Sequence, residues 1–170
     1  MKYPIYFLIT LINFILQTTV FESLSIIGIK PNTAIIIVVS VAFIQGELDG
    51  IITGIFAGFF QDSFFSLYLG CHIFIYASVG LICGYCFKAF FKESFLLPIA
   101  LTAAADLYSC LVFYILNILL RGYFNILTFL SSVVLPELVY TVLISGLVYR
   151  LIYYIADALN RSSQDKRRLF

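Results

Sequence analysis

Apolar residues dominate the chain, and the polar positions that interrupt them divide it into six segments. These lie near residues 4–21, 33–45, 48–61, 71–91, 96–120 and 129–156. A helix needs about 20 consecutive apolar residues to cross a hydrocarbon core roughly 30 Å thick. The pattern therefore predicts an all-α membrane protein, built as a compact bundle of six transmembrane helices.

The basic residues fall mainly on one side of the predicted membrane. With the N-terminus inside, the outer side holds only Lys30 and Arg121, and the cytoplasmic side holds eight basic residues: Lys2, Lys88, Lys92, Arg150, Arg161, Lys166, Arg167 and Arg168. Cytoplasmic loops carry an excess of Lys and Arg. The distribution thus predicts that both termini are cytoplasmic.

Two of the segments, 33–45 and 48–61, are short, at about 20 Å each for a rise of ~1.5 Å per residue. They can be two short membrane spans or a re-entrant hairpin. Both alternatives leave the other segments with the same orientation in the membrane. A single span over 33–62 would instead place the basic C-terminal residues outside, against the charge rule. We favour short spans, because hydrophobic mismatch costs only fractions of a kcal/mol per Å, whereas a re-entrant turn needs protein around its backbone.

Composition supports the membrane prediction. The chain is 62% hydrophobic and 11% charged, against about 25% charged residues in soluble domains, which excludes a water-soluble fold. We expect one membrane domain over residues 1–158 and a basic cytoplasmic tail over 159–170. The charge of this tail fits orientation and attraction to anionic lipid, without nucleic acid.

A ladder of small residues marks the third segment. Its positions are four apart and end in an acid: Gly46, Gly50, Gly54, Gly58 and Asp62. Small residues at this spacing let membrane helices approach closely, so the ladder predicts a packing seam and a central place for the third segment. Gly80 and Gly84 form a second pair, which leaves contact between copies of the chain open.

A few polar residues lie within or beside the apolar segments. Asp106 is the deepest, and Gln17, Asn117 and Arg121 are candidate partners for it. A charge at the bilayer centre is costly, so Asp106 is expected to be hydrogen-bonded across helices or to face a ligand or partner. Three further candidates lie nearer the segment ends, where a structural role and a functional one both stay open: Asp62, Glu137 and Arg150.

The sequence motifs give little indication of a catalytic or metal-binding site. Cys83 and Cys86 form a C-x-x-C, but inside an apolar span and not at the start of a helix beside a soluble sheet, where such thiols become reactive. His72 is a lone histidine and is predicted to be a polar residue at the start of a helix. The chain contains no phosphate-binding loop and no Ser/His/Asp set. We expect no enzyme activity, no cofactor and no metal.

The chain resembles the bacterial rod shape-determining family MreD over most of its length. The resemblance rests on the glycine ladder with Asp62 and on five shorter matches: Leu16-Gln17, Lys30-Pro31-Asn32, Leu69-Gly70, Gly80 with Gly84, and Leu135-Pro136. One departure is Thr141, where an Asn is expected.

The resemblance implies a non-enzymatic scaffold of the cell-elongation complex in the bacterial inner membrane, which contributes to cell shape and peptidoglycan synthesis. Its implied partner is an MreC-like membrane protein, together with MreB, RodA and a class B penicillin-binding protein. The family is also similar to the S components of energy-coupling-factor transporters. A subunit that binds a vitamin-like molecule, with Asp62, Asp106 and Asn117 as its candidate ligand contacts, is therefore the alternative.

Overall fold

Helices form throughout the part of the chain that this computed structural model describes, which is residues 3–23, 30–65, 70–89, 96–121 and 129–168. They are α1 (Tyr3–Ser23), α2 (Thr33–Gln45), α3 (Glu47–Phe65), α4 (Cys71–Ala89), α5 (Leu96–Arg121) and α6 (Leu135–Arg168). A π-helical turn, Leu130–Val134, leads directly into α6. The six predicted helices are confirmed; their bounds lie within a few residues of the apolar segments, except that α6 continues to Arg168.

Three helices among the described residues are long and apolar enough to cross a membrane. The qualifying stretches are residues 3–20 of α1, 96–116 of α5, and 130–157 of the π turn with α6. Shorter apolar helices are α2 and residues 71–86 of α4. α6 also runs beyond the apolar stretch, through residues 158–168, so the backbone of the predicted tail is largely helical.

The centre of the bundle is α2. Every residue from Thr33 to Phe43 is buried, and the helix packs against α1, α3, α4, α5 and α6. A helix that is apolar on all sides can be enclosed by protein or can face lipid, and α2 is enclosed by protein. The predicted central position of the third segment is therefore wrong: α3 packs against α1, α2 and α4, and α2 occupies the core.

Two core clusters tie the other helices to α2. One joins it to α3, α4 and α5 through residues such as Ala57, Ile75 and Ala105. The second joins it to α1 and α6 through Tyr6 and Ile152. Each buried aliphatic side chain contributes about 1.5–3 kcal/mol when it leaves water, but in lipid the gain comes from close packing instead.

The sequence explains where α2 and α6 begin. The Asn32 side chain accepts a hydrogen bond from the Ile35 N–H (3.3 Å) and so caps the start of α2. Pro136 lacks an N–H and cannot bond to the carbonyl four residues earlier. Just before it, the Leu135 N–H bonds to the Leu130 carbonyl five residues back, which closes the π-helical turn.

Candidate functional site: a glycine seam and a polar cavity

Helices α3 and α4 run antiparallel and approach each other through their glycines. A Cβ atom placed on Gly50 would lie 2.8 Å from the Gly80 carbonyl oxygen. One placed on Gly54 would lie 2.6 Å from the Tyr76 carbonyl carbon, and one on Gly84 would lie 2.6 Å from the Glu47 nitrogen. Carbon atoms in contact prefer about 3.5–4.0 Å. The two backbones are thus closer than any larger residue allows.

Gly58 continues the same contact, since its Cβ would lie 2.7 Å from the His72 carbonyl carbon. Gly46 has a different place: it precedes α3, with φ of 105°, in the one-residue turn between α2 and α3. Glycine adopts this left-handed backbone without the steric penalty of a side chain. The ladder within α3 therefore begins at Gly50, because Gly46 serves the turn.

The second glycine pair faces the interior of the chain. Gly80 lies against Gly50, and Gly84 lies against Glu47. The sequence allows this glycine pair to form a contact between two copies of the chain. In the structure α3 covers Gly80 and Gly84, so in this conformation the pair is not available to a second copy.

Asp62 closes the same helix pair at its other end. Its carboxylate accepts hydrogen bonds from the backbone N–H groups of Gly70 (2.8 Å), His72 (3.1 Å) and Ile73 (3.2 Å). The His72 ring atom Nδ1 lies 2.8 Å from Asp62 Oδ1. These are the N–H groups that the start of a helix leaves without partners. Asp62, at 1% exposure, therefore acts as a cap for α4, and His72 contributes to that cap.

A cavity of about 650 Å³ opens at the end of the bundle where α1, α3 and α5 finish and α2, α4 and α6 begin. Aromatic and aliphatic side chains supply much of its wall. The polar and ionisable lining residues are Gln17, Lys30, Asn32, Gln61, His72, Tyr76, Ser109, Cys110, Ser132 and Glu137. Its size falls within the ~300–1,000 Å³ of small-molecule sites.

Hydrogen bonds link three helices beside this cavity. The Tyr76 hydroxyl of α4 donates to Asn32 Oδ1 (3.2 Å), and the Asn32 backbone N–H donates to Thr141 Oγ1 of α6 (3.1 Å). Thr141, the departure from the family pattern, thus still accepts a bond from the start of α2. Buried polar groups with complete hydrogen bonding hold helices in one arrangement.

Asp106 lies beside this network on α5 and is fully buried, with 0% exposure. The side chains of Asn32 and Thr141 lie near its carboxyl group, but neither forms a hydrogen bond with its carboxylate oxygens. Of the partners that the sequence suggested for Asp106, Gln17 lines the cavity, whereas the side chains of Asn117 and Arg121 are outside the described set.

Of the last two predicted site residues, Glu137 lies near Asp106 and Arg150 does not contribute to the cavity. Glu137 lines the cavity, and its Oε2 lies 3.9 Å from Cys110 Sγ. Arg150 is exposed, farther along α6. Sequence reasoning missed Asn32, Tyr76 and Cys110 as cavity residues. One signal was available for Cys110, since a spacing of four from Asp106 places both on one face of α5.

The fold and its apolar helices define a helical membrane protein. A family model described as rod shape-determining protein MreD matches residues 1–158. The chain belongs to the MreD family of rod shape-determining proteins. A search of curated proteins and a search of solved structures each gave no match.

Proposed function

We propose that this chain is a non-enzymatic scaffold of the bacterial rod complex, and that it contributes to peptidoglycan synthesis by binding an MreC-like membrane protein. The family match over residues 1–158 is the observation that carries the proposal. MreB, RodA and a class B penicillin-binding protein are the further members of the proposed assembly. The family is one of shape-determining proteins, which favours an assembly role over catalysis.

The proposed topology has six membrane segments with both termini in the cytoplasm of a bacterial inner membrane. The excess of basic residues on one side supports it. In this orientation the polar cavity opens outward, at the end that contains Asn32, His72 and Glu137. The short α2 needs little lipid contact, because its residues from Thr33 to Phe43 are enclosed by other helices.

A rigid helix pair and exposed lateral faces support the proposed scaffold role. Backbone contact along α3 and α4 fixes their spacing, since no residue there can give way by changing rotamer. On α6, apolar residues four apart stand out from the bundle: Leu135, Val139, Leu143, Leu147 and Leu151, at 55–76% exposure. A row at this spacing forms a ridge that suits another helix. We propose this row as the surface for the partner's membrane helix.

Photo-crosslinking in native membranes tests that surface. A photoreactive residue at Leu147 on α6, at 76% exposure, is compared with one at Ile12 on α1, at 49% exposure. We expect the α6 probe to capture the MreC-like protein and the α1 probe to capture much less. Equal capture at both positions, or capture only from α1, would remove α6 as the docking face.

Affinity purification tests the scaffold proposal itself. A tagged copy is extracted with mild detergent, and the proteins and small molecules recovered with it are identified by mass spectrometry. Recovery of MreC-like and wall-synthesis proteins without a bound small molecule supports the scaffold. Their absence from material that remains folded contradicts it.

A second candidate function is favoured by the cavity. Its volume of about 650 Å³ and its convergent polar groups, including Gln17, Asn32 and Tyr76, suit a small molecule. The chain would then be a substrate-binding subunit similar to the S components of energy-coupling-factor transporters. A stoichiometric vitamin-like molecule recovered together with an ATPase module would establish this function in place of the scaffold.

A further inference from the structure

Three side chains of the kind that ligate metals meet at the wall of the cavity. Asp106 and Cys110 lie one turn apart on α5, and Glu137 comes from the first turn of α6. The ligand atoms of the three all lie within 4.8 Å of one another. Cys110 and Glu137 also line the cavity, so this cluster has a route for an ion to enter.

Asp106 supplies an independent indication that the cluster takes a ligand. It has 0% exposure, and neither carboxylate oxygen has a hydrogen-bond partner within the described part of the chain. Burial of a carboxylate without a partner is costly, and more so in a membrane segment. An ion held between the three side chains would give the Asp106 carboxylate a partner, since their ligand atoms lie within 4.8 Å of one another.

The donor atoms indicate the kind of ion. Two carboxylate oxygens and one sulfur form a mixed set, whereas Mg²⁺ and Ca²⁺ prefer oxygen alone. A thiolate selects zinc and other borderline or soft metals. Zinc sites commonly use three protein ligands at about 2.0–2.3 Å and leave a fourth position open. The present spacing of up to 4.8 Å needs to shrink by roughly 1 Å for tetrahedral coordination.

We propose that Asp106, Cys110 and Glu137 bind a divalent metal ion of the zinc class, which ties α5 to α6 and leaves one coordination position facing the cavity. The site stands on these three side chains and is independent of the scaffold function. Its consequence is a bundle whose α5–α6 spacing, and hence the width of the cavity mouth, depends on metal.

Cobalt binding tests the proposal directly, because thiolate-bound Co²⁺ gives a ligand-to-metal absorption band that carboxylate-bound Co²⁺ does not. The full chain is purified in detergent, stripped of metal and titrated with Co²⁺ alone. We expect one equivalent to bind with the thiolate band. Cys110→Ser should abolish the band. Cys83→Ser should keep it, because this buried thiol on α4 lies outside the cluster.

Zinc provides a second measurement on the same variants. Zn²⁺ should raise the Tm of the wild-type chain and of Cys83→Ser, and competition should show that Asp106→Asn and Glu137→Gln weaken zinc affinity by at least about tenfold. Metal-free Tm values establish that each variant is folded. The proposal is overturned if the wild-type chain shows neither the band nor a zinc-dependent rise in Tm, or if Cys110→Ser keeps both.

Discussion

Replacing Gly54 by alanine is expected to loosen the contact between α3 and α4. The added Cβ would lie 2.6 Å from the Tyr76 carbonyl carbon and 2.9 Å from the Ala77 nitrogen. Both are backbone atoms, so no side-chain rotation relieves the contact. Restoring a separation of about 3.5–4.0 Å requires the helices to part by roughly 1 Å.

The expected change in the free energy of unfolding is the difference between two opposing effects. Overpacking of this kind costs about 1–3 kcal/mol, occasionally more, and a gap of 0.5–1 Å forfeits roughly a quarter to a half of the dispersion attraction at neighbouring contacts. Alanine regains up to about 1 kcal/mol of helix propensity over glycine. Because the contact is with rigid backbone, the cost should lie in the upper part of this range, at about 2–3 kcal/mol. We therefore expect a net loss of roughly 1–2 kcal/mol, equivalent to a Tm lower by about 2–8 °C.

A matched control is available in α6. A Cβ atom on Gly146 would meet only Ile99 Cδ1, at 3.9 Å, so Gly146→Ala should leave the Tm unchanged or raise it slightly. The assay heats both purified variants in detergent and measures the monodisperse fraction by size-exclusion chromatography. Equal Tm values for Gly54→Ala, Gly146→Ala and the wild-type chain would refute the close-packing argument.

Gly54→Leu and Gly58→Leu should lower both the thermal stability of the chain and the recovery of the MreC-like partner.

Three further substitutions test other parts of the fold by the same thermal assay. Asp62→Ala removes the cap of α4 and should lower the free energy of unfolding by about 1–2 kcal/mol. Ser63→Ala changes an exposed neighbour and should lower it little. Equal losses of stability in the two variants would argue against the cap. Ile36→Ala, at 0% exposure, should lower the free energy of unfolding by about 2–5 kcal/mol. Leu143→Ala, at 71% exposure, should lower it much less. An Ile36→Ala variant as stable as the wild-type chain would contradict the central position of α2. Gly46→Ala places a side chain at φ of 105° and ψ of −177°, a conformation that is essentially restricted to glycine, and should cost about 1–3 kcal/mol of stability. An unchanged Tm would be the opposing result.

The six helices were predictable because the bilayer imposes both their length and their apolar composition. The polar breaks located their ends, and α2 begins and ends at the predicted residues 33 and 45. The central helix was predicted wrongly. Small residues in α3 indicate that one helix pair approaches closely. They do not show which helix the others surround, and the apolar run of α2 is equally typical of a lipid-facing span, so the central place of α2 depends on packing that the sequence pattern does not encode.

The candidate site was less accessible to sequence reasoning. Asp106 and Glu137 stood out because charges are rare in apolar segments, but the distance between them depends on how α5 packs against α6. Cys110 has mainly apolar neighbours in the sequence, where a thiol is typical of a small apolar residue. The role of Asp62 as a cap depends on the backbone N–H groups of residues 70–73 lying beside the end of α3, and periodicity does not encode that arrangement.

Cell shape after depletion tests the central claim most directly. The chain is depleted from its native cells, and cell width and length are followed by microscopy, with re-expression of the wild-type chain and of Gly146→Ala as controls. The scaffold account predicts that depleted cells widen and lose their rod shape, and that both controls restore it. Cells that keep their rod shape while losing uptake of a small molecule would contradict the scaffold and favour the transporter subunit.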